Sequence, residues 1–224
     1  MMTGWGEFIL AFTVFFLSHS FPVRPPVRPW LVARLGSRGF TLGYSVLSLA
    51  VLGWVIAAAG RAPYVELWGY APWQNHLPMV AMGVVCLILA AAIWRPNPFS
   101  FGGAQNDQFD PKRAGIVRYM RHPLLVALAL WAFAHLAPNG DLAHVILFGI
   151  FAGFALMGMP LITRRKKRQL GQTWYDWDAA LKSATLAPRP LSWSGAVARL
   201  AVGIGLYAAL LAAHPWLFGV NPLP

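Results

Sequence analysis

Long apolar runs alternate with polar, basic connectors along this chain. The runs cover residues 5–21, 39–60, 77–94, 121–137, 142–162 and 197–218. A helix that crosses a bilayer needs roughly 20 predominantly apolar residues, with about 17–25 as the usual range. The pattern therefore predicts an all-α, polytopic membrane helix bundle of about six spanning helices, forming one integral membrane domain over residues 1–224. The first run holds a single acid, Glu7, near its outer end, and it lacks a basic leader and a small-residue cleavage site. It reads as a retained helix and not as a signal peptide. The fourth run opens on Arg121-His122-Pro123, with Pro in the first helical turn, where its missing N–H costs nothing. It closes on Pro138-Asn139-Gly140, a turn signal that makes the fourth and fifth runs an antiparallel hairpin.

Composition sharpens the picture. The 224 residues are 58% hydrophobic and only 11% charged, with 11 Trp and 14 Phe. A soluble domain carries about 25% charged residues, so this chain lacks the charge to cover a water-facing surface. A soluble enzyme and a disordered chain are both excluded. One cysteine, Cys86, rules out a disulfide framework and any multi-cysteine zinc or iron–sulfur centre.

The net charge of +11 is a topology signal. Arg24, Arg28, Arg34 and Arg38 lie between the first two runs, and Arg95, Lys112, Arg113, Arg118 and Arg121 between the third and fourth. Arg164, Arg165, Lys166, Lys167, Arg168, Lys182 and Arg189 lie between the fifth and sixth, with Arg199 just beyond. Of the 18 Lys and Arg, only Arg61 falls on the other side. The positive-inside rule places these loops in the cytoplasm and both termini on the periplasmic side of a bacterial inner membrane. The basic run at 164–168 reads as a stop-transfer anchor before it reads as a site for anionic lipid. Nucleic acid is not an expected partner, because no recognition motif accompanies the charge.

Small-residue pairs mark close helix contacts in lipid. Gly39/Gly43 and Gly149/Gly153 read first as packing within the bundle, with a dimer seam as the alternative. Residues 95–118 are too polar for the membrane and read as a connector or lid, and residues 169–194 predict a short interfacial helix around Trp174, Tyr175 and Trp177.

Candidate chemistry rests on histidine. The acids Glu7, Glu66, Asp107, Asp110, Asp141, Asp176 and Asp178 avoid mid-membrane positions, and none forms a pair suited to hydrolysis. The histidines are His19, His76, His122, His135, His144 and His214. Neutral imidazole in an apolar bundle, without thiolates, is the ligand type for haem b. Facing helices of a bundle commonly build such sites. His135 follows Trp131 by one turn, and its bland reading is a merely hydrogen-bonded core histidine. His19 doubles as a polar cap and His76 as an interfacial residue. His122, between Arg121 and Pro123, suits a phosphate or carboxylate better than a metal, and His144 and His214 lie at wetted helix ends. His122 and His135 are 13 residues apart, roughly 20 Å along a helix and on nearly opposite faces. They cannot share a metal. Depth alone pairs His76 with His135.

Several strings then point to one family. They are Ser18-His19-Ser20, Arg34-Leu35-Gly36-Ser37-Arg38-Gly39-Phe40, Trp73-Gln74-Asn75-His76-Leu77 and Pro96-Asn97-Pro98. The most extensive is Arg118-Tyr119-Met120-Arg121-His122-Pro123, running through Trp131-Ala132-Phe133-Ala134-His135 to Asn139-Gly140-Asp141. Together these resemble the NnrU family. The resemblance implies a link to bacterial denitrification and nitric oxide. It also implies kinship with the zeta-carotene isomerase of plants, a haem b membrane protein that converts a cis double bond of a polyene. By that resemblance, His19 and His135 correspond to its haem ligands. The isomerase has a cysteine three residues before the second histidine, where this chain has Ala132, so a thiol-based ligand switch is absent here.

The Arg121-His122-Pro123 segment is also similar to a motif of the isoprenylcysteine and phospholipid methyltransferases. That similarity implies S-adenosylmethionine as the alternative cofactor, its carboxylate received by Arg121 and His122. The acidic residues those enzymes carry downstream are replaced here by the basic run at 164–168. A non-enzymatic assembly or regulatory factor is the third reading. The expected partners are the lipid bilayer and a small hydrophobic substrate or nitric oxide.

Overall fold

The computed structural model describes residues 4–183 and 192–223, so Arg189 lies outside the described residues. Seven helices are present among them. They are α1 (Gly4–Ser20), α2 (Val27–Arg61), α3 (His76–Ala92), α4 (Pro123–Leu136), α5 (Leu142–Leu170), α6 (Gln172–Ser183) and α7 (Trp193–Phe218). Extended pairing among the described residues is limited to one antiparallel bridge, Glu66 to Asp141. The all-helical expectation holds. Among the described residues, four helical stretches are long and apolar enough to cross a membrane: Val27–Arg61, Pro72–Ala92, Leu142–Leu170 and Trp193–Phe218. Helix α1 has 17 residues and α4 has 14. At 1.5 Å per residue α4 is about 21 Å long, short of the roughly 30 Å hydrocarbon core. It is shorter than its apolar run because Arg121 and His122 are drawn into polar contacts before the helix begins.

The chain divides into two compact units, Met1–Gly69 with Gly140–Leu147, and Tyr70–Asn139 with Phe148–Pro224. In the first, α1 and α2 form a hairpin. Gly36 leaves the helical region (φ 71°, ψ 164°) and breaks α2 into two segments. That positive φ is open to glycine and strained for other residues. The span expected from residue 39 therefore starts just past the break. At the far end of the hairpin, Glu7 accepts hydrogen bonds from Trp54 Nε1 (3.1 Å) and from Arg61 Nε (3.1 Å) and Nη2. Arg61 at the end of α2 thus meets the single acid of α1. Nearby, the connector after α2 clips onto the segment before α5. The amides of Leu67 and Trp68 donate to the Gly140 carbonyl (2.7 and 3.2 Å), and the Leu142 amide donates to Val65 (2.9 Å). A Cβ on Gly140 would lie 2.1 Å from the Trp68 carbonyl oxygen, so this approach requires glycine. Asp141 caps α5, accepting from the His144 amide at 3.2 Å.

In the second unit α3 packs on α4 through Val85, Ile88 and Ala127. It packs on α7 where Gly203 lies against Leu87 and the Cys86 carbonyl, a small residue permitting close approach. Helices α4 and α5 run antiparallel, as the turn signal predicts. Trp131 meets Phe148 and Phe151, Leu125 and Ala129 meet Ala155, and His122 meets Thr163.

Three expectations change in detail. Helix α5 continues to Leu170, so the basic run at 164–168 is helical. Residues 95–118 are no loose lid: Phe99, Phe109, Ala114 and Val117 form a buried cluster with Trp174 and Leu181 of α6. The expected short helix is α6, but Trp174 is turned into that cluster while Tyr175 is exposed. The glycine pairs also differ from their first reading. A Cβ on Gly43, Gly149 or Gly153 would meet nothing within 4 Å, and one on Gly39 only Leu35 of its own helix. Packing within either unit does not require them.

Candidate functional site

A histidine on a helix can turn its Nδ1 back toward the carbonyl one turn earlier. Nδ1 then carries the proton, because a carbonyl only accepts, and in neutral imidazole Nε2 keeps its lone pair. His135 does this: Nδ1 donates to the Trp131 carbonyl at 2.8 Å. His19 does the same to Phe15 at 2.8 Å, and His76 to Trp73 at 3.0 Å. His214 donates to the Val220 carbonyl at 2.8 Å.

Burial sets one of these four apart: His76 is exposed, whereas His19, His135 and His214 are partly buried against aromatic rings, His214 lying 4.8 Å from Phe218. In the second unit, His135 lies 5.6 Å from Trp131 and 5.4 Å from Phe148, centroid to centroid. Asn139 Nδ2 donates to its backbone carbonyl at 2.7 Å, pinning the end of α4. In the first unit, His19 stacks on Phe15 at 4.0 Å, and the Tyr44 hydroxyl donates to the His19 carbonyl at 3.4 Å. No hydrogen bond engages Nε2 of His135 or of His19 among the described residues. A metal-ligating histidine normally has this arrangement, with one nitrogen held by a fixed acceptor and the other free for the metal. No group of three or more His, Cys, Asp or Glu placed to hold a bare ion occurs among the described residues. A lone imidazole of this kind would fit haem, whose porphyrin supplies the other nitrogens.

His122 differs. It sits just before α4, with Nδ1 3.0 Å from Ser100 Oγ and Nε2 2.8 Å from Thr163 Oγ1. Burial, and then the neighbouring Arg121 charge, push its pKa below the ordinary histidine value. It is a neutral ring bridging the 95–118 segment to α5. Arg121 is equally committed. Its Nε and Nη2 donate to Asp178 Oδ1 (3.1 and 2.8 Å), and its Nη1 donates to the carbonyls of Val117 (2.8 Å) and Arg118 (2.9 Å). Asn97 Nδ2 donates to the Arg121 carbonyl at 3.1 Å, and the guanidinium lies 5.2 Å over Phe99. Burial raises the Asp178 carboxyl, but hydrogen bonds from Lys182 and Arg121 outweigh it and hold the group below the usual carboxylate range. The Arg-His-Pro segment thus binds α5, α6 and the 95–118 segment together. Each side-chain nitrogen of Arg121 and both ring nitrogens of His122 already have a partner within the protein.

The structure therefore brings Trp131 to His135 and joins Arg121 and His122 to separate structural partners, while His76 stands exposed at the start of α3. Sequence reasoning missed Asp178 as the partner of Arg121, and its only local signal was Lys182 one turn further on α6, 2.6 Å from Asp178. Glu7 with Arg61 was the more legible miss, Glu7 being the lone acid of the first run and Arg61 the one cation between the second and third runs.

These features define an all-helical protein with several membrane-length apolar helices and, among the described residues, three ring-packed histidines, His19, His135 and His214, whose Nε2 atoms are unengaged. A family model described as "NnrU protein" matches residues 7–222. The chain belongs to the NnrU family. No curated protein and no solved structure matches it.

Proposed function

We propose that this NnrU protein spans a bacterial inner membrane six times, with both termini on the periplasmic side, and binds haem b, which His135 would hold through its Nε2. The charge pattern supports the topology, with the exceptional Arg61 neutralised by Glu7. In this arrangement α1 and the short α4 count as spans, and local thinning or tilting of neighbours accommodates the shortfall of α4. One observation carries the ligand assignment: the Trp131 carbonyl fixes the His135 proton on Nδ1.

Haem iron, when bound, supplies a reducible Lewis acid for a diatomic gas such as nitric oxide or for a polyene double bond. The protein's own part is to orient and to dry the site. Trp131 and Phe148 flank the imidazole and exclude water, and Asn139 holds the end of its helix. His19, prepared in the same way in its own unit, is the second candidate ligand that the family resemblance supplies. His76 is the third, at an exposed position. The resemblance connects such a site to denitrification or to cis–trans isomerisation, and Ala132 beside His135 leaves no thiol for ligand exchange.

The test is the absorption spectrum of the purified full chain, oxidised and dithionite-reduced. A Soret band with haem b character is expected. A colourless preparation from haem-supplied cells would reject the proposal.

A further inference from the structure

Two arginines at one end of α3 have no carboxylate partner. Arg199 of α7 donates from Nη1 to the carbonyls of Ala90 (2.7 Å) and Ile93 (3.2 Å), the negative end of the α3 dipole. Arg95 follows two residues after Ile93. Its guanidinium rests against Gly115, where a Cβ would lie 2.6 Å from Nη1 and 2.8 Å from Cζ. The missing side chain makes room for it. The Arg95 Nε is buried with no hydrogen-bond partner. No ion pair engages Arg95 or Arg199 among the described residues. Arg121 and Arg61, by contrast, each hold a carboxylate.

A desolvated cation without a counter-ion is unfavourable. Burial first, and then the Arg199 charge, push Arg95 below the ordinary guanidinium pKa. A bound anion would relieve both. The guanidinium fork matches phosphate oxygens in particular. Two tryptophans flank the place: Trp94, 84% exposed and held at φ 57°, and Trp193, 72% exposed at the start of α7. Exposed tryptophans of this kind sit at the headgroup level of a bilayer, and basic pockets between membrane helices bind anionic headgroups.

We propose that Arg95 and Arg199 form a binding site for the phosphate of an anionic phospholipid headgroup at the end of α3. The site is separate from the histidines and does not depend on haem.

Native mass spectrometry of the full chain in detergent, titrated with phosphatidylglycerol or phosphatidylcholine, tests this. Two arginines near the surface predict a preference for phosphatidylglycerol of roughly 30-fold. Arg95→Gln should remove most of that preference, and Arg113→Gln, an exposed charge on the same segment, should leave it intact. Circular dichroism confirms folding, and Arg199→Gln gives the reading if Arg95→Gln does not fold. Equal binding of the two lipids, or an undiminished preference in the arginine variants, would overturn the site. Inorganic phosphate shifting the melting temperature of wild type but not of Arg95→Gln, with no lipid adduct in either, would overturn the lipid as occupant.

Discussion

Replacing Arg121 with Gln removes one side of the most connected polar contact in the second unit. Breaking a buried ion pair from one side typically costs about 3–5 kcal/mol, because the remaining charge is left unpaired. Two features lower that figure here. The Arg121 and Asp178 side chains keep 20% and 12% exposure, and Lys182 still neutralises Asp178 at 2.6 Å. The loss of donors to Val117 and Arg118 acts in the other direction. A net cost of about 2–3 kcal/mol follows. At roughly 2–4 °C per kcal/mol for a chain of this size, the melting temperature should fall by roughly 4–12 °C. Thermal unfolding of detergent-solubilised protein, followed by circular dichroism, measures it. Asp178→Asn should lower it less, and the double variant should fall short of the sum, because both changes remove one interaction. The pH sign is fixed by the depressed Asp178 pKa. Its contribution is complete above the unfolded-state value of about 3.9 and is lost as the pH drops through the lower folded value. The gap between wild type and Asp178→Asn should therefore shrink under acid. A melting temperature unchanged in Arg121→Gln, or strictly additive variants, would refute the claim that this pair holds the segment together.

Two further substitutions probe other parts of the account. Gly140→Ala places a Cβ 2.1 Å from the Trp68 carbonyl oxygen. It should pry the two connectors apart and lower the melting temperature by several degrees, whereas no change would mean that the approach is looser than described. Thr163→Val leaves His122 Nε2 without its partner and should cost about 1–2 kcal/mol. The same thermal assay checks it, and haem content should not change.

Helix positions were largely legible because apolar runs of spanning length are a strong local signal. Where they shifted, a polar residue decided the boundary. Arg121 and His122 belong to side-chain networks whose partners, Asp178 and Thr163, lie 57 and 41 residues away, and no local pattern announces such pairings. Helix α4 therefore starts late. Helix α5 runs through its basic residues because cations suit the last turns of a helix. The polar stretch at 95–118 hid a core, because Phe99, Phe109 and Val117 are spaced irregularly and find Trp174 only in three dimensions. The histidines were visible as a set, and the family resemblance already singled out His19 and His135, but the direction of each ring was not legible. What distinguishes His135 and His19 from His122 is where Nδ1 points, which depends on helix geometry and on neighbouring hydroxyls.

Haem content of His135→Ala beside wild type tests the central claim most directly. Reduced-minus-oxidised spectra and the pyridine haemochrome, normalised to protein, give the stoichiometry, with His122→Ala as the companion variant. Bound haem b is expected in wild type and in His122→Ala, with a large loss in His135→Ala. Wild-type stoichiometry in a folded His135→Ala protein would contradict it.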